Sequence, residues 1–399
     1  MPGIDRAGGD DGVAMRLLHT SDWHLGRTLH GEDLLPYQAS FLDWLLGEAA
    51  ARGADAVLVA GDVYDRAVPP VDAVAVLDRA LRGFAAASVP VIMISGNHDS
   101  AIRLGFGASL SERAGVHVRA SVADIARPVV LADAGGDVAV YGIPYLLPDA
   151  AGDELGIAER SHAGVLAAAM TRIRADAAAR GIGRVVVLAH AFVTGAAPCE
   201  SERDIRVGGI GDAPASVFDG VTYVALGHLH GQQAVPASHG TTARYSGSPL
   251  AFSFSERHHA KSVTLAEVDD AGDVRTTLLP APVPRPLREL TGRLDDLLAR
   301  ADAGLADAWL KVVLTDPARP ASPMERLREK WPHTLVLDFA PEGGLACAEA
   351  DLRRLAAAAD PVEVCALHAE FAGGGPPDAE QRAVLAEVVE AVTHREAAA

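Results

Sequence analysis

Lysine is nearly missing from this chain of 399 residues: only Lys261, Lys311 and Lys330 occur, and arginine supplies the rest of the basic side chains. That bias is a mark of GC-rich coding and carries no functional message. Aromatics are scarce at 5%, yet apolar residues reach 49%, with alanine carrying much of the count, so a sizeable core is within reach. Cysteine is limited to Cys199, Cys347 and Cys365, which are far apart and odd in number. They fit neither a zinc pattern nor a disulfide framework. No uninterrupted apolar stretch of about 18 residues marks a membrane helix. Residues 1–14 (MPGIDRAGGDDGVA) are polar and acidic and lack the apolar segment of a secretory signal. They read as a disordered leader, with Met15 as a candidate start. A reduced, cytoplasmic compartment and no membrane partner are expected. A G-x-x-x-x-G-K-[ST] loop is also missing, so the chain has no visible ATP site of that type.

Basic residues are outnumbered, 35 Lys and Arg against 53 Asp and Glu, giving a formal charge of −18. A free-standing nucleic-acid binder normally presents a basic stripe. A polyanion can still be handled in two ways. Bound divalent cations can supply positive charge where the backbone is held, or a partner subunit can supply the grip.

The length implies two or three domains. From Met15 the pattern is βα repetition, an α/β core reaching to about residue 280. Short apolar runs at Met15–Thr20, Ala56–Ala60 and Val89–Ser95 alternate with helical periods at Tyr37–Arg52 and Val71–Ala87. Val138–Ile143, Arg184–Ala189, Val221–Leu226, Ala243–Ser246 and Ser262–Val268 continue the strand series. Unbroken apolar runs of this kind indicate parallel strands covered on both faces. A proline-rich connector, Leu279–Arg285, marks a boundary. Beyond it, strand-like Leu287–Leu290, Trp309–Leu314 and His333–Phe339 alternate with helical Asp295–Ala301 and Met324–Lys330, a small α+β module over 281–345. A helical tail over 346–399 is split by Gly373–Pro377.

The residues just after each strand carry the chemistry. Ser21-Asp22-Trp23-His24 comes after the first, Gly61-Asp62-Val63-Tyr64-Asp65 after the second and Gly96-Asn97-His98-Asp99 after the third. Ala189-His190 and Gly227-His228-Leu229-His230 end later ones. The carboxyl ends of parallel strands line one crevice, where ligands bind. Asp, Asn and His without Cys make mixed oxygen and nitrogen sites suited to Mn²⁺ and less decisively to Fe or Zn. Two such cations clamp a phosphate and stabilise both the attacking and the leaving oxygen. Asp62, in the middle of the series, is the candidate bridge. His19, inside an apolar strand, reads as a core histidine, and Asp99 as either a ligand-orienting group or a turn or cap residue.

D-x-H, G-D-x-x-D, G-N-H-D, a lone His and G-H-x-H in this order resemble the calcineurin-like metallophosphoesterases. The resemblance implies that Asp22, His24 and His230 hold one metal, that Asn97, His190 and His228 hold the other, and that Asp62 bridges. It further implies that His98 serves the leaving oxygen as acid or donor, oriented by the side chain of Asp65. MRLLHTSDWHLGR, GDVYDRAVPP, GNHDS, VALGHLH and YSGSPLAFSFSE narrow the resemblance to the SbcD family, the nuclease subunits of SbcCD complexes, over Met15 to about Val392. That family implies a metallophosphoesterase sandwich, a small DNA-binding capping domain and a C-terminal helical segment that docks an SbcC-type coiled-coil ATPase. In the tail, Leu367, Phe371, Val384, Leu385, Val388, Val389 and Val392 recur at helical spacing; core packing within the chain is the usual reason for such a stripe, and docking on the partner is the one the resemblance implies.

The implied activity is a Mn²⁺-dependent double-strand 3'-5' exonuclease and single-strand or hairpin endonuclease, coupled to ATP through the partner. The implied setting is DNA repair, recombination and replication on the nucleoid, by a homodimer of this chain within a heterotetramer. Arg27, Arg66 and Arg103 are candidate phosphate or DNA contacts. Two rival readings share the motifs: a small-molecule phosphodiesterase or phosphatase, and a non-catalytic scaffold on the same fold. The module after residue 280 weighs against the first, and the complete ligand set against the second.

Overall fold

The computed structural model describes residues 14–158, 160–202, 212–341, 354–358, 360–373 and 376–397, the backbone alone over 371–373 and 393–397. The chain divides into two compact units, one ending at Pro284 and the other beginning at Arg285.

The first unit starts with β1 (Met15–Thr20), α1 (Leu35–Arg52), β2 (Ala56–Val59), α2 (Val71–Ala86) and β3 (Val91–Ile94). Two short helices, α3 (Ala101–Leu104) and α4 (Ala108–Ser111), lead into β4 (Val116–Arg119). A hairpin of β5 (Val129–Asp133) and β6 (Gly136–Ile143) then opens a second sheet. It continues through α5 (Pro148–Leu155), α6 (His162–Arg180), β7 (Arg184–His190), β8 (Tyr223–Gly227), β9 (Gln233–Val235) and β10 (Thr242–Tyr245). Finally β11 (Ser262–Val268) and β12 (Val274–Pro280) return to the first sheet.

Among the described residues these strands form two six-stranded sheets, β12-β11-β1-β2-β3-β4 and β9-β10-β8-β7-β6-β5. In the first sheet β1 to β4 are parallel and β11 and β12 are added antiparallel at one edge; in the second, β6, β7, β8 and β10 are parallel and the two edge strands β5 and β9 are antiparallel. One core cluster joins the sheets: Leu17, Leu58, Ile92 and Ile94 from the first meet Val138, Leu188 and Tyr223 from the second. The alternate residues of the same strands face helices. Leu18, Val57 and Met93 pack on Phe41, Leu45 and Phe84 of α1 and α2. Val187 and Val224 pack with Met170 and Ile173 of α6. Every central strand is thus buried on both sides, and its sequence is apolar throughout rather than alternating.

The helices obey local rules. Helix α1 stops at Gly53, left-handed at φ 58°, a conformation that costs glycine nothing. Helix α6 starts at Ser161, whose hydroxyl accepts the Gly164 N–H at 3.0 Å. His19 is a core histidine: its ring bridges the sheets from Tyr223 Oη at 2.9 Å to the Leu226 carbonyl at 3.2 Å.

The second unit contains β13 (Leu287–Gly292), α7 (Leu294–Ala299), β14 (Trp309–Leu314), α8 (Pro323–Lys330) and β15 (Thr334–Phe339). The three strands are parallel, in the order β13-β14-β15, around a core of Leu290, Leu294, Leu310, Val312, Leu327 and Trp331. Helices α9 (Pro361–Gly373) and α10 (Ala379–Ala397) complete it. Val384, Val388 and Val392 of α10 are exposed, whereas Leu367, Leu385 and Val389 are half-buried; the Phe371 side chain and residues 345 and 346, where the expected boundary falls, lie partly or wholly outside the described residues. None of the described helices is long and apolar enough to cross a membrane.

Candidate metal centre

Loops at the carboxyl ends of β1 and β2 are stitched together by main-chain bonds. Asp22 N–H donates to Gly61 O, His24 N–H to Asp62 O and Leu25 N–H to Val63 O, each at 3.0 Å. Buried Gln38 of α1 clasps the same loop. Its amide donates to Trp23 O at 2.9 Å and His24 O at 2.7 Å, and accepts Gly26 N–H at 3.0 Å. Among the described residues, eight non-glycine positions have positive φ, and four of them are Asp22, His24, Asp62 and His228. Strain of this kind, of order 1–3 kcal/mol per residue, persists only where the surroundings over-determine the backbone.

Asp99 supplies part of that determination. Its carboxylate accepts Val63 N–H at 3.1 Å, Tyr64 N–H at 2.9 Å and Gly96 N–H at 2.9 Å, so it clamps the β2 loop to the β3 loop. It binds backbone on both loops, so its role goes beyond a turn or cap and positions the segments that carry Asp62 and Asn97. His98 N–H donates to Asp62 Oδ1 at 2.9 Å and fixes that carboxylate from the other side. The loops pass so close that a Cβ on Gly96 would collide with the Asp62 carboxylate, and one on Gly61 with the His190 ring.

The second sheet contributes three of the imidazoles, His190, His228 and His230, to face His24 of the first. His190 Nδ1–H donates to the Ala60 carbonyl at 2.9 Å, which leaves Nε2 2.8 Å from Asn97 Oδ1. His228 Nδ1 lies 3.3 Å from the same oxygen. His24 Nε2 and His230 Nε2 face each other at 3.2 Å. Asp22 accepts His228 N–H at 3.1 Å and the Ser21 hydroxyl at 2.5 Å. Asp62 Oδ2 stands between the two groups, 3.6 Å from His24 Nε2 and 3.5 Å from His190 Nε2. All seven residues expected to hold metal are therefore brought together.

The electrostatics fit cations. Ligand atoms of Asp22, His24 and His230 lie within 4.8 Å of one another, as do those of Asp22, Asp62 and His190. Burial pushes the Asp22 carboxyl up to about 7, opposed by His190 and reinforced by Asp62. Burial holds His24 and His228 well below the ordinary imidazole range, and brings His230 to about 4 against the pull of Glu256. Neutral rings with lone pairs turned toward one another, beside two buried carboxylates, make a donor set that a divalent cation satisfies.

Asp65 differs from expectation. The group that His98 Nδ1–H reaches, at 2.7 Å, is the main-chain carbonyl of Asp65, not its side chain. The Asp65 carboxylate lies 3.7 Å from Arg27 Nε and 3.9 Å from His24 Nδ1. The His98 ring is thus held at this position by main chain, which any residue could supply. The arginines separate. Arg27 stacks over Phe252 at 4.9 Å and donates to Ser201 O at 3.0 Å beside the cluster. Arg66 is exposed, and exposed Arg103 donates to Ala67 O at 2.9 Å. Sequence reasoning missed Gln38, Ser201, Glu202, Glu256 and Lys261, all of which touch the ligand loops. They come from distant segments, and no local spacing ties them to a ligand.

Residues 15–232 match the family model of the calcineurin-like phosphoesterases. Residues 283–369 match the model of the SbcD C-terminal domain, described as the type 5 capsule protein repressor C-terminal domain. The crystal structure of a dimetal phosphatase from Danio rerio is similar at a TM-score of 0.40 and 14% identity, over 67% of this chain and 99% of that one.

Proposed function

This chain belongs to the calcineurin-like phosphoesterase family and carries an SbcD-type C-terminal domain, and from that premise we propose that it is the DNA-cleaving subunit of an SbcCD-type complex. Asp22, His24 and His230 hold one divalent cation, Asn97, His190 and His228 the other, and Asp62 is shared. The observation that carries this reading is the position of Asp62 Oδ2, 3.6 Å from a nitrogen of one group and 3.5 Å from a nitrogen of the other. Mn²⁺ is the expected metal, because imidazole-rich sites suit it better than Mg²⁺.

Bound cations of this kind neutralise phosphate charge and activate water. The chain's own residues do the rest. Asp99 and the Asp62–His98 bond hold two loops in one register, so both halves of the site face a single phosphate. With Nδ1–H held by the Asp65 carbonyl, His98 has Nε2 left to face the leaving oxygen, to which it gives a proton in its doubly protonated form. One of its ring nitrogens lies within 4.8 Å of ligand atoms of His24 and Asp62, near enough to act on a phosphate held there.

The finer reading is a double-strand 3'-5' exonuclease and single-strand or hairpin endonuclease, with ATP consumed by the partner. It acts on nucleoid DNA in the cytoplasm. The exposed valines of α10 support docking on the partner's coiled coil. A homodimer is supported by Ile102, Phe106 and Leu110, which are 88%, 91% and 72% exposed; the Arg103–Ala67 bond brings exposed Val68 alongside them. Apolar side chains so exposed mark an interaction surface. Phe106→Glu should convert a dimer to a monomer in light scattering, and an unchanged mass would remove this face from the interface.

The function is tested with hairpin and duplex-end substrates against an aryl phosphodiester, with and without Mn²⁺, the SbcC-type ATPase and ATP. DNA cleavage that requires Mn²⁺ and is stimulated by the partner with ATP is expected. Turnover of the aryl ester with no DNA cleavage under any condition would favour a small-molecule phosphodiesterase.

A further inference from the structure

Behind His230, on the side away from His24, two opposite charges are buried together. Glu256 is 1% exposed and Lys261 6%. Glu256 Oε1 lies 3.2 Å from His230 Nδ1 and accepts Phe252 N–H at 3.0 Å. Lys261 Nζ grips the other carboxylate oxygen, donates to the Ser248 hydroxyl at 2.9 Å and to the His230 carbonyl at 3.0 Å. The pair thus holds one residue twice, by its ring and by its main chain.

Burying an ion pair is a poor way to gain stability, because desolvation offsets the attraction and an apolar pair of similar volume does as well or better. Such a pair needs another reason to be here. The geometry supplies one: an imidazole that offers Nε2 to a metal must keep its proton on Nδ1, and a carboxylate there fixes tautomer and ring orientation together.

We propose that Glu256, anchored by Lys261, is a positioning residue for the metal held by Asp22, His24 and His230. It accepts the Nδ1 proton of His230 and aims Nε2 at the cation. The Ser201 hydroxyl also reaches Nδ1, at 2.9 Å, and is the rival for the same task. In the opposite group the corresponding nitrogen of His190 is held by a main-chain carbonyl, that of Ala60. The inference rests on the two-metal reading above.

Mn²⁺ titration of the full-length protein, followed by the free-ion electron paramagnetic resonance signal, tests it alongside thermal melting of the metal-free protein. Glu256→Asp keeps the charge balance with Lys261 but withdraws the carboxylate by one methylene. Glu256→Gln/Lys261→Met removes both charges at nearly constant volume. In each, the affinity of one of two Mn²⁺ sites should fall by ~10–100-fold, with the other site unchanged and metal-free melting nearly so. Ser201→Ala should leave both affinities alone. Fewer than two Mn²⁺ on the wild-type protein would overturn the two-metal reading itself. Two Mn²⁺ on the wild type with unaltered affinities in both Glu256 variants would overturn only the positioning role. So would a loss seen in Ser201→Ala alone, or variants that cannot fold without metal, which would mark the pair as structural.

Discussion

At the scale of single residues, ligands and chemistry separate. His98 is tied to the Asp65 carbonyl and, through its main-chain N–H, to Asp62, and its ring lies beside the seven proposed ligand residues. His98→Ala should keep two bound metals and lose turnover by ~10²–10⁴-fold, the usual worth of a proton donor. Elemental analysis beside a cleavage assay checks this, and loss of a metal would make His98 a ligand. A second expectation concerns acid stability. Burial pushes the His19 imidazole down to about 3 from 6.5, with Arg244 adding to the effect against the pull of the Leu226 carbonyl. Between those values the unfolded chain binds a proton that the folded chain refuses. The stability present above pH 6.5 is accordingly lost as pH falls through the window, at ~1.4 kcal/mol per pH unit. His19→Gln offers the same donor and acceptor without titrating. It should flatten the acid limb of melting temperature against pH, measured in chelator, and an unchanged slope would assign that limb to other groups.

At the scale of elements, the separation between catalytic core and tail is the point to test. The proposed ligands all lie between Asp22 and His230 in the first unit, whereas α9 and α10 begin at Pro361. Removing residues 360–399 should leave a folded, Mn²⁺-dependent single-strand endonuclease that no longer binds the partner ATPase. A pull-down and an ATP-stimulated end-trimming assay read this directly, and undiminished partner binding would place docking elsewhere. Helices α1 and α2 and the strand ends of the core were legible in the sequence, whereas α5 and the alanine-rich α6 were missed. Phe41, Leu42 and Leu45 repeat at helical spacing, and each motif loop comes after an apolar run that is a strand. The two-sheet arrangement was not legible from the strands. Val57 faces helices and Leu58 faces the other sheet, but both neighbours select the same apolar side chains. Strands β4, β5, β9 and β12 were missed because they are short or partly exposed edge strands, with weaker apolar signals. Within the site, the motif residues were readable because they lie next to strand ends. Glu256 was not readable as a partner of His230, since 26 residues separate them and only the packed fold brings them together.

At the scale of the molecule, a net charge of −18 and a phosphoesterase site coexist. Non-specific affinity for duplex DNA comes mainly from counterion release by basic side chains, so an acidic chain gains little of it alone. Two cations at the base of the crevice and a partner that grips the duplex resolve the conflict, and both are part of the proposed function. Of these the metal centre is primary, because without it neither the ligand loops nor the strained backbone at Asp22, His24, Asp62 and His228 has a purpose. An anomalous difference map at the manganese edge, from crystals of the full-length protein soaked in Mn²⁺, tests it most directly. Two peaks ~3.5–4 Å apart are expected, one among Asp22, His24 and His230 and one among Asn97, His190 and His228, both against the Asp62 carboxylate. A single peak, or two peaks that do not share Asp62, would contradict the two-metal centre.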